Sequence, residues 1–178
     1  MQEQPSRADL LAEVIAEAPR QGASAVRLNI AIAHQLAMPL ADVQCMGLLA
    51  DGPSAPGDLA ARLGLTSGAM TKVLDRLERA GYITRAADPS DRRRVTIAAD
   101  PDGLARLAAH YAPMGEKMSR YLDQLSTADL AAVLAFMRAG REAADEEIAR
   151  IRRQGIRHAT RRPRQRRPPG QPAGQPAG

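Results

Sequence analysis

Between residues 62 and 94 the chain sets eight cations, Arg62, Lys72, Arg76, Arg79, Arg85, Arg92, Arg93 and Arg94, against four acids, Asp75, Glu78, Asp88 and Asp91. Ser67, Gly68 and Thr71 lie in the same stretch, offering hydroxyls and an unhindered backbone beside fixed positive charge. Those residue types suit a surface that faces a polyanion. Elsewhere the balance runs the other way. Nine of the 25 basic residues are arginines after Ile148, a stretch with no acid, and the other 16 face all 20 acids. The net charge of +5 is therefore a property of the C-terminal tail, and the cationic segment sits in an acidic body. Chemistry that breaks bonds finds little support. The chain has no Gly-rich phosphate loop, no metal-ligand cluster and no nucleophile–base–orienter set, so no catalytic residue, metal or cofactor is expected. The one cysteine, Cys45, can form neither an internal disulfide nor a zinc site. With no basic residue within ten positions of it, it is expected to pack rather than to sense oxidants.

The elements that must position the cationic segment follow from periodicity and punctuation. Ser6 is a possible N-cap for a helix over 6–18 with Leu10, Leu11, Val14 and Ile15 at helical spacing. Pro19 is expected to interrupt it, and a second helix is predicted over 22–37, apolar around much of its circumference and so buried on more than one side. A short helix is predicted from Asp42 to Ala50. Pro56 and Gly64 then punctuate a helix of about a turn and a half. Another starts at once from the N-cap Thr66 and runs to about Ala80, with Met70, Val73, Leu74 and Leu77 on its core side. Ser67, Gly68, Thr71, Lys72, Asp75, Arg76 and Arg79 occupy its opposite side, and two short helices joined by a Gly-containing turn make a helix-turn-helix. Tyr82–Arg85 and Arg94–Ile97 alternate like strands around the turn-forming Asp88-Pro89-Ser90-Asp91-Arg92-Arg93, which predicts a β-hairpin with arginines at its tip. Asp100-Pro101 opens a helix to about 122, kinked or broken near Pro113. Ser126-Thr127-Ala128-Asp129, a capping box with Asp for Glu, opens a last helix to about Arg152. Its Leu130, Val133, Leu134, Met137 and Ala144, then Ile148 and Ile151, would face a partner. The Arg- and Pro-rich tail from 154 is expected to be disordered.

Over roughly residues 20–150 this sequence resembles the MarR family of transcriptional regulators. Leu59-Ala60-Ala61-Arg62-Leu63-Gly64-Leu65-Thr66 resembles the family's first helix-turn-helix helix and turn, and Ser67 to Arg85 its recognition helix and the approach to its wing. Asp91-Arg92-Arg93 stands where the family has an Asp-x-Arg wing signature. The resemblance implies a mainly α fold with a small β-hairpin wing, a winged helix-turn-helix domain joined to N- and C-terminal dimerisation helices. It implies a homodimer on double-stranded DNA, the recognition helix in the major groove. Thr66, Ser67, Gly68, Ala69, Thr71, Lys72 and Arg76 are the candidate contacts on that helix. Ser67 and Thr71 can bond to base edges or phosphates, Gly68 and Ala69 allow close approach, and Lys72 and Arg76 suit phosphate. On the wing the candidates are Asp91, Arg92, Arg93 and Arg94. Arg93 is placed in the minor groove, where a guanidinium sheds water more readily than an ammonium. Asp91 is expected to hold the hairpin by pairing with Arg93, Arg76 or Arg85. Family members often bind a small aromatic anion, and Arg27, Asn29, His34, Cys45 and Met46 fall near where such an effector pocket would open.

The segments expected are an N-terminal arm over 1–21, dimerisation and linking helices over 22–50, the winged domain over 51–99, C-terminal dimerisation helices over 100–153, and the basic tail over 154–178. The function expected is a sequence-specific regulator, a ligand-responsive repressor bound to a pseudo-palindromic operator. The alternative is a nonspecific nucleoid protein that uses the same wing and tail. The opening residues lack the basic and apolar regions of a secretory signal, and no stretch approaches the ~20 apolar residues that span a bilayer, so a cytoplasmic, nucleoid-associated location without membrane contact is expected.

Overall fold

The structure, a computed structural model, describes residues 5–87 and 95–161. Six helices and two strands follow one another as α1 (Arg7–Gln35), α2 (Leu40–Leu49), α3 (Pro56–Leu63), α4 (Ser67–Arg79), β1 (Ile83–Ala87), β2 (Val95–Ala99), α5 (Pro101–Leu122) and α6 (Thr127–Arg161). The fold is mainly α with one β-hairpin, as the sequence predicts. The chain divides into two units, residues 1–117 and 118–178.

In the first unit, α1 starts with a capping box. Asp9 N donates to Ser6 Oγ at 3.2 Å, and Ser6 N donates to Asp9 Oδ2 at 3.0 Å. Ser6 Oγ also donates to Asp9 Oδ2 at 2.6 Å, and this bond, with the one from Ser6 N, holds the Asp9 carboxyl below its ordinary pKa. Contrary to expectation, α1 is one helix of 29 residues with Pro19 inside it. Proline withholds one N–H and orphans the carbonyl four residues earlier. Pro19 lies on an exposed stretch, where water can satisfy that carbonyl, and Ala16, Glu17, Ala18, Arg20 and Gln21 around it are good helix formers. Pro113 is likewise exposed and lies inside α5. Burial corrects a second expectation. Only Ile32 and Ala33 of α1 are buried, while Leu10, Leu11, Val14, Val26, Ile30 and, at 65 %, Ile15 are exposed.

The core gathers Val43, Cys45, Met46 and Leu49 of α2, Leu59 and Ala60 of α3, and Met70, Val73, Leu74 and Leu77 of α4. Ile83 and Ile97 of the hairpin, Tyr82 before it and Leu107 of α5 complete it. α2 packs against α1, α3, α4 and β2 and shares their core. The strands pair antiparallel, Ile83 opposite Ala99 and Ala87 opposite Val95. They run two residues beyond the predicted ends, through alanines that carry no strand signal. Ser54 and Ile97 exchange two backbone bonds of 2.9 Å, which tie the segment before α3 to β2.

In the second unit, Asp129 N donates to Ser126 Oγ at 3.1 Å and Ser126 N donates to Asp129 Oδ2 at 3.3 Å, the capping box the sequence predicts. Leu130, Val133, Leu134 and Met137 recur at helical spacing along α6 and are exposed, Met137 by 60 %. The helix continues past the predicted end near Arg152 to Arg161, so the tail expected to be disordered from 154 begins as helix. The reason is that no proline follows Pro113 until Pro163. Residues 162–178 lie outside the described residues. Among those described, no helix is long and apolar enough to cross a membrane.

Candidate nucleic-acid interface

The interface is built on α3, the turn and α4. Pro56 opens α3 and Gly64 closes it with φ +68°, a left-handed conformation that lets Leu65 N reach Ala60 O at 2.9 Å. The next residue, Thr66, caps α4, its Oγ1 accepting from Ala69 N at 3.2 Å. The tight turn and the inward-facing stripe of Met70, Val73, Leu74 and Leu77 settle which side of the second helix turns to the core. The side opposite that stripe presents Ser67, Gly68, Thr71 and Lys72 to solvent, with Ala69 half-buried. No acid lies in the first turn, so the positive end of the helix dipole stands uncompensated beside Lys72. Thr71 Oγ1 donates to Ser67 O at 3.0 Å, which fixes its rotamer and leaves its oxygen free to accept. A methyl group at Gly68 would meet no atom within 4 Å among the described residues, so none of them requires glycine there.

Arginines divide by what they hold. Arg76 makes two bonds to Asp42 on α2, Nε to Oδ2 at 2.9 Å and Nη2 to Oδ1 at 2.5 Å, which raise its pKa above the ordinary arginine value. Arg85 on β1 reaches back to α4, 2.5 Å from Asp75 and 2.9 Å from Glu78. Arg79 is exposed at the end of α4. Arg106, which the sequence did not single out, lies with its guanidinium 4.6 Å from the centre of the Tyr82 ring. It also donates to Ala80 O and Gly81 O at 3.3 and 2.8 Å, satisfying carbonyls past the end of α4. Asp100 accepts from Gly103 N at 2.9 Å, the N-cap predicted for α5. The wing residues Asp91, Arg92, Arg93 and Arg94 lie outside the described residues. Their strands do not: the hairpin leaves α4 through Gly81, at φ +68°, and Tyr82.

The five residues proposed for an effector pocket differ in burial and in partners. Cys45 and Met46 are fully buried in the core, where burial and the nearby Asp42 charge push the Cys45 thiol up to about 11. Asn29 accepts from Tyr111 Oη at 2.7 Å, a link between α1 and α5. Arg27 and His34 are exposed on α1, Arg27 donating to Ser24 Oγ at 2.8 Å. Among the described residues, no group of three or more His, Cys, Asp or Glu is placed to hold a metal ion.

A family profile described as MarR family matches residues 38–94, which take in α2, α3, α4 and β1 and end just before β2. The uncharacterized HTH-type transcriptional regulator YcgE of Bacillus subtilis is 28 % identical over 148 residues, 83 % of this chain and 96 % of that protein. The multiple antibiotic resistance protein MarR of Salmonella typhimurium is 32 % identical over 98 residues, 55 % of this chain and 65 % of that one. Among solved structures, a mutant form of MepR from a multidrug-resistant S. aureus clinical isolate superposes with a TM-score of 0.56 at 19 % identity, covering 80 % of this chain and 99 % of that one. The transcriptional regulator Tm0710 of Thermotoga maritima gives 0.52 at 18 % identity, covering 77 % and 98 %.

Proposed function

We propose that the chain is a DNA-binding transcriptional regulator of the MarR family, a reading the profile match and the similar regulators support, and that it acts as a homodimeric repressor that reads a pseudo-palindromic operator and releases it on binding a small-molecule effector. One observation supports this above others. The outer face of α4 carries exposed Ser67, Thr71 and Lys72 on a Thr66-capped helix with no acid in its first turn, while the inner face packs into the core. A helix so fixed can be inserted into the major groove without losing its own packing. In this reading Ser67 and Thr71 meet base edges or phosphates, Gly68 and Ala69 allow close approach, and Lys72 neutralises phosphate. The wing cations Arg92, Arg93 and Arg94 reach the adjacent backbone and minor groove, with Arg93 inserted and Asp91 holding the hairpin.

Dimerisation is supported by the apolar side chains left uncovered on α1 and on α6, each at helical spacing, since contiguous apolar surface of this kind marks a partner site. Two copies related by a two-fold axis would place their α4 helices on half-sites about one helical turn, roughly 34–36 Å, apart. Effector control rests on the family alone. Of the five residues proposed for the pocket, Arg27 and His34 are the exposed pair left to meet an aromatic anion, and the protein would act in the cytoplasm on the nucleoid.

Genomic fragments selected on the purified protein provide the test. A single enriched inverted repeat, bound about 10³-fold or more tightly than mixed-sequence DNA, is the expected result. Equal affinity for every fragment would establish the nonspecific alternative. Arg93→Ala should weaken operator binding by about 1–3 kcal/mol in a gel-shift titration with the dimer intact, and unchanged affinity would remove Arg93 from the interface. Gly68→Ala should leave thermal stability at or above its starting value while lowering operator affinity.

A further inference from the structure

Asp42 is 2 % exposed, an acidic side chain on the core side of α2 beside Cys45, Met46 and Leu49 at the following third, fourth and seventh positions. An acid there needs a partner, because a buried carboxylate without one costs several kcal/mol. The partner is Arg76, 34 residues away and nine residues past Ser67, on the helix whose outer face meets solvent. Its two parallel bonds fix direction as well as distance. Val43, Met46 and Leu49 of α2 share the apolar core with the inner stripe of α4, and apolar packing by itself fixes direction less sharply than a two-bond ion pair. A roll of about 15° moves a side-chain tip about 1.5 Å on a helix of 5–6 Å radius. That exceeds the spread of hydrogen-bond lengths to a base edge.

We propose that Arg76 is a positioning residue for DNA recognition: by gripping Asp42 it sets the roll of α4, and so governs operator specificity without itself contacting phosphate. The proposal rests on α4 being the DNA-reading helix. It assigns Asp42, which lies on α2 with its carboxylate in the core, a share in specificity.

The two roles of Arg76 separate on charge. A phosphate contact tolerates lysine, whereas a two-bond grip on a carboxylate does not. Full-length Arg76→Lys, Arg76→Gln, Asp42→Asn and Arg76→Lys/Asp42→Asn proteins would be titrated against the best selected fragment and against mixed-sequence DNA across a salt series. Arg76→Lys leaves the buried carboxylate a cation, so it remains informative if Asp42→Asn fails to fold. The expected result is a fall of about tenfold in the operator-to-mixed ratio for Arg76→Lys and Asp42→Asn alike, within the coupling range of contacting charges. Mixed-sequence affinity and the salt slope should hold, and the double variant should be no worse than the poorer single one. If Arg76→Lys keeps the ratio while Arg76→Gln loses about 0.9 of salt slope, Arg76 is a phosphate contact and the proposal falls. If Arg76→Lys and Asp42→Asn lower the melting temperature but keep the ratio, the pair is merely structural and the proposal again falls. A wild-type protein without salt-dependent DNA binding would instead sink the regulator reading, and the proposal with it.

Discussion

Gly103, in the first turn of α5, lies against the backbone that carries α4 into the hairpin. A Cβ at this position would fall 2.6 Å from Tyr82 Cα, 2.8 Å from Gly81 O and 3.1 Å from Tyr82 O. All three are backbone atoms, so no side chain can swing away. The backbone they belong to is itself held, since Tyr82 N donates to Leu77 O at 2.8 Å and Tyr82 O accepts from Asp100 N at 2.9 Å. Two effects of Gly103→Ala oppose each other. Alanine gains about 1 kcal/mol of helix propensity over glycine. Relieving a 2.6 Å contact requires moving backbone by about 1 Å, in the upper part of the 1–3 kcal/mol typical of overpacking. Taking that cost as about 3 kcal/mol, the clash wins by about 2 kcal/mol, or a fall of about 4–8 °C in melting temperature for a chain of this size. Gly115→Ala in the same helix is the control, because a Cβ there meets nothing within 4 Å. Its propensity gain should appear unopposed, as unchanged or raised stability. Thermal melts followed by circular dichroism read both. A Gly103→Ala protein as stable as wild type would show that α5 does not seat on Tyr82 as closely as described.

Gly64→Ala forces a Cβ into a left-handed conformation at the helix-turn-helix turn and should cost about 1 kcal/mol, seen as a lower denaturant midpoint at unchanged slope. Arg106→Ala removes the stacking on Tyr82 and the bonds to Ala80 O and Gly81 O, and should cost about 1 kcal/mol; an unmoved midpoint would deny Arg106 that role. The Cys45 thiol, raised from an ordinary 9.0 to about 11, should resist disulfide reagents in the folded protein at neutral pH. Its linkage to folding has a definite sign. Below pH 9 both states hold the proton, but between 9 and about 11 the unfolded chain releases it first. The stability of wild type relative to Cys45→Ala should therefore fall across that window and level off above it, and a difference constant with pH would place the thiol in contact with water.

Local signals made much of the fold legible. Thr66 before an acid-free turn, Gly64 just past Leu63, and Met70, Val73, Leu74 and Leu77 at threes and fours determine α4 without reference to anything distant. The capping boxes at Ser6 and Ser126 are equally local. Pro19 shows where local rules overreach, because the cost of a helix proline depends on whether water can reach the orphaned carbonyl. The partners of Arg76 and Arg85 were not legible, since pairing depends on which residues the fold brings together. One clue did exist in the chain. Asp42 precedes Cys45, Met46 and Leu49 at helical spacing, so the apolar stripe of α2 contains an acid, and an acid on a core stripe implies a cation elsewhere. Arg106 gave no such sign, because its stacking partner lies in the turn after another helix.

Helical periodicity identifies an apolar face but not what covers it, and this chain shows both outcomes. The stripe of α4 is covered by the chain's own α2, α3 and hairpin, and its residues are almost wholly buried. The stripe of Leu10, Leu11, Val14 and Ile15 on α1 has the same spacing, as does Leu130, Val133, Leu134 and Met137 on α6, yet all eight side chains are exposed. Leaving a large apolar side chain in water forgoes about 1.5–3 kcal/mol of burial each, so two such stripes together forgo far more than the usual margin of stability. Covering those stripes with a second copy would therefore make folding and association one event. Its observable consequence is a melting temperature that rises with protein concentration. A melting temperature independent of concentration over a hundredfold range, in a protein that sediments as a monomer, would leave α1 and α6 without the partner that their sequences imply.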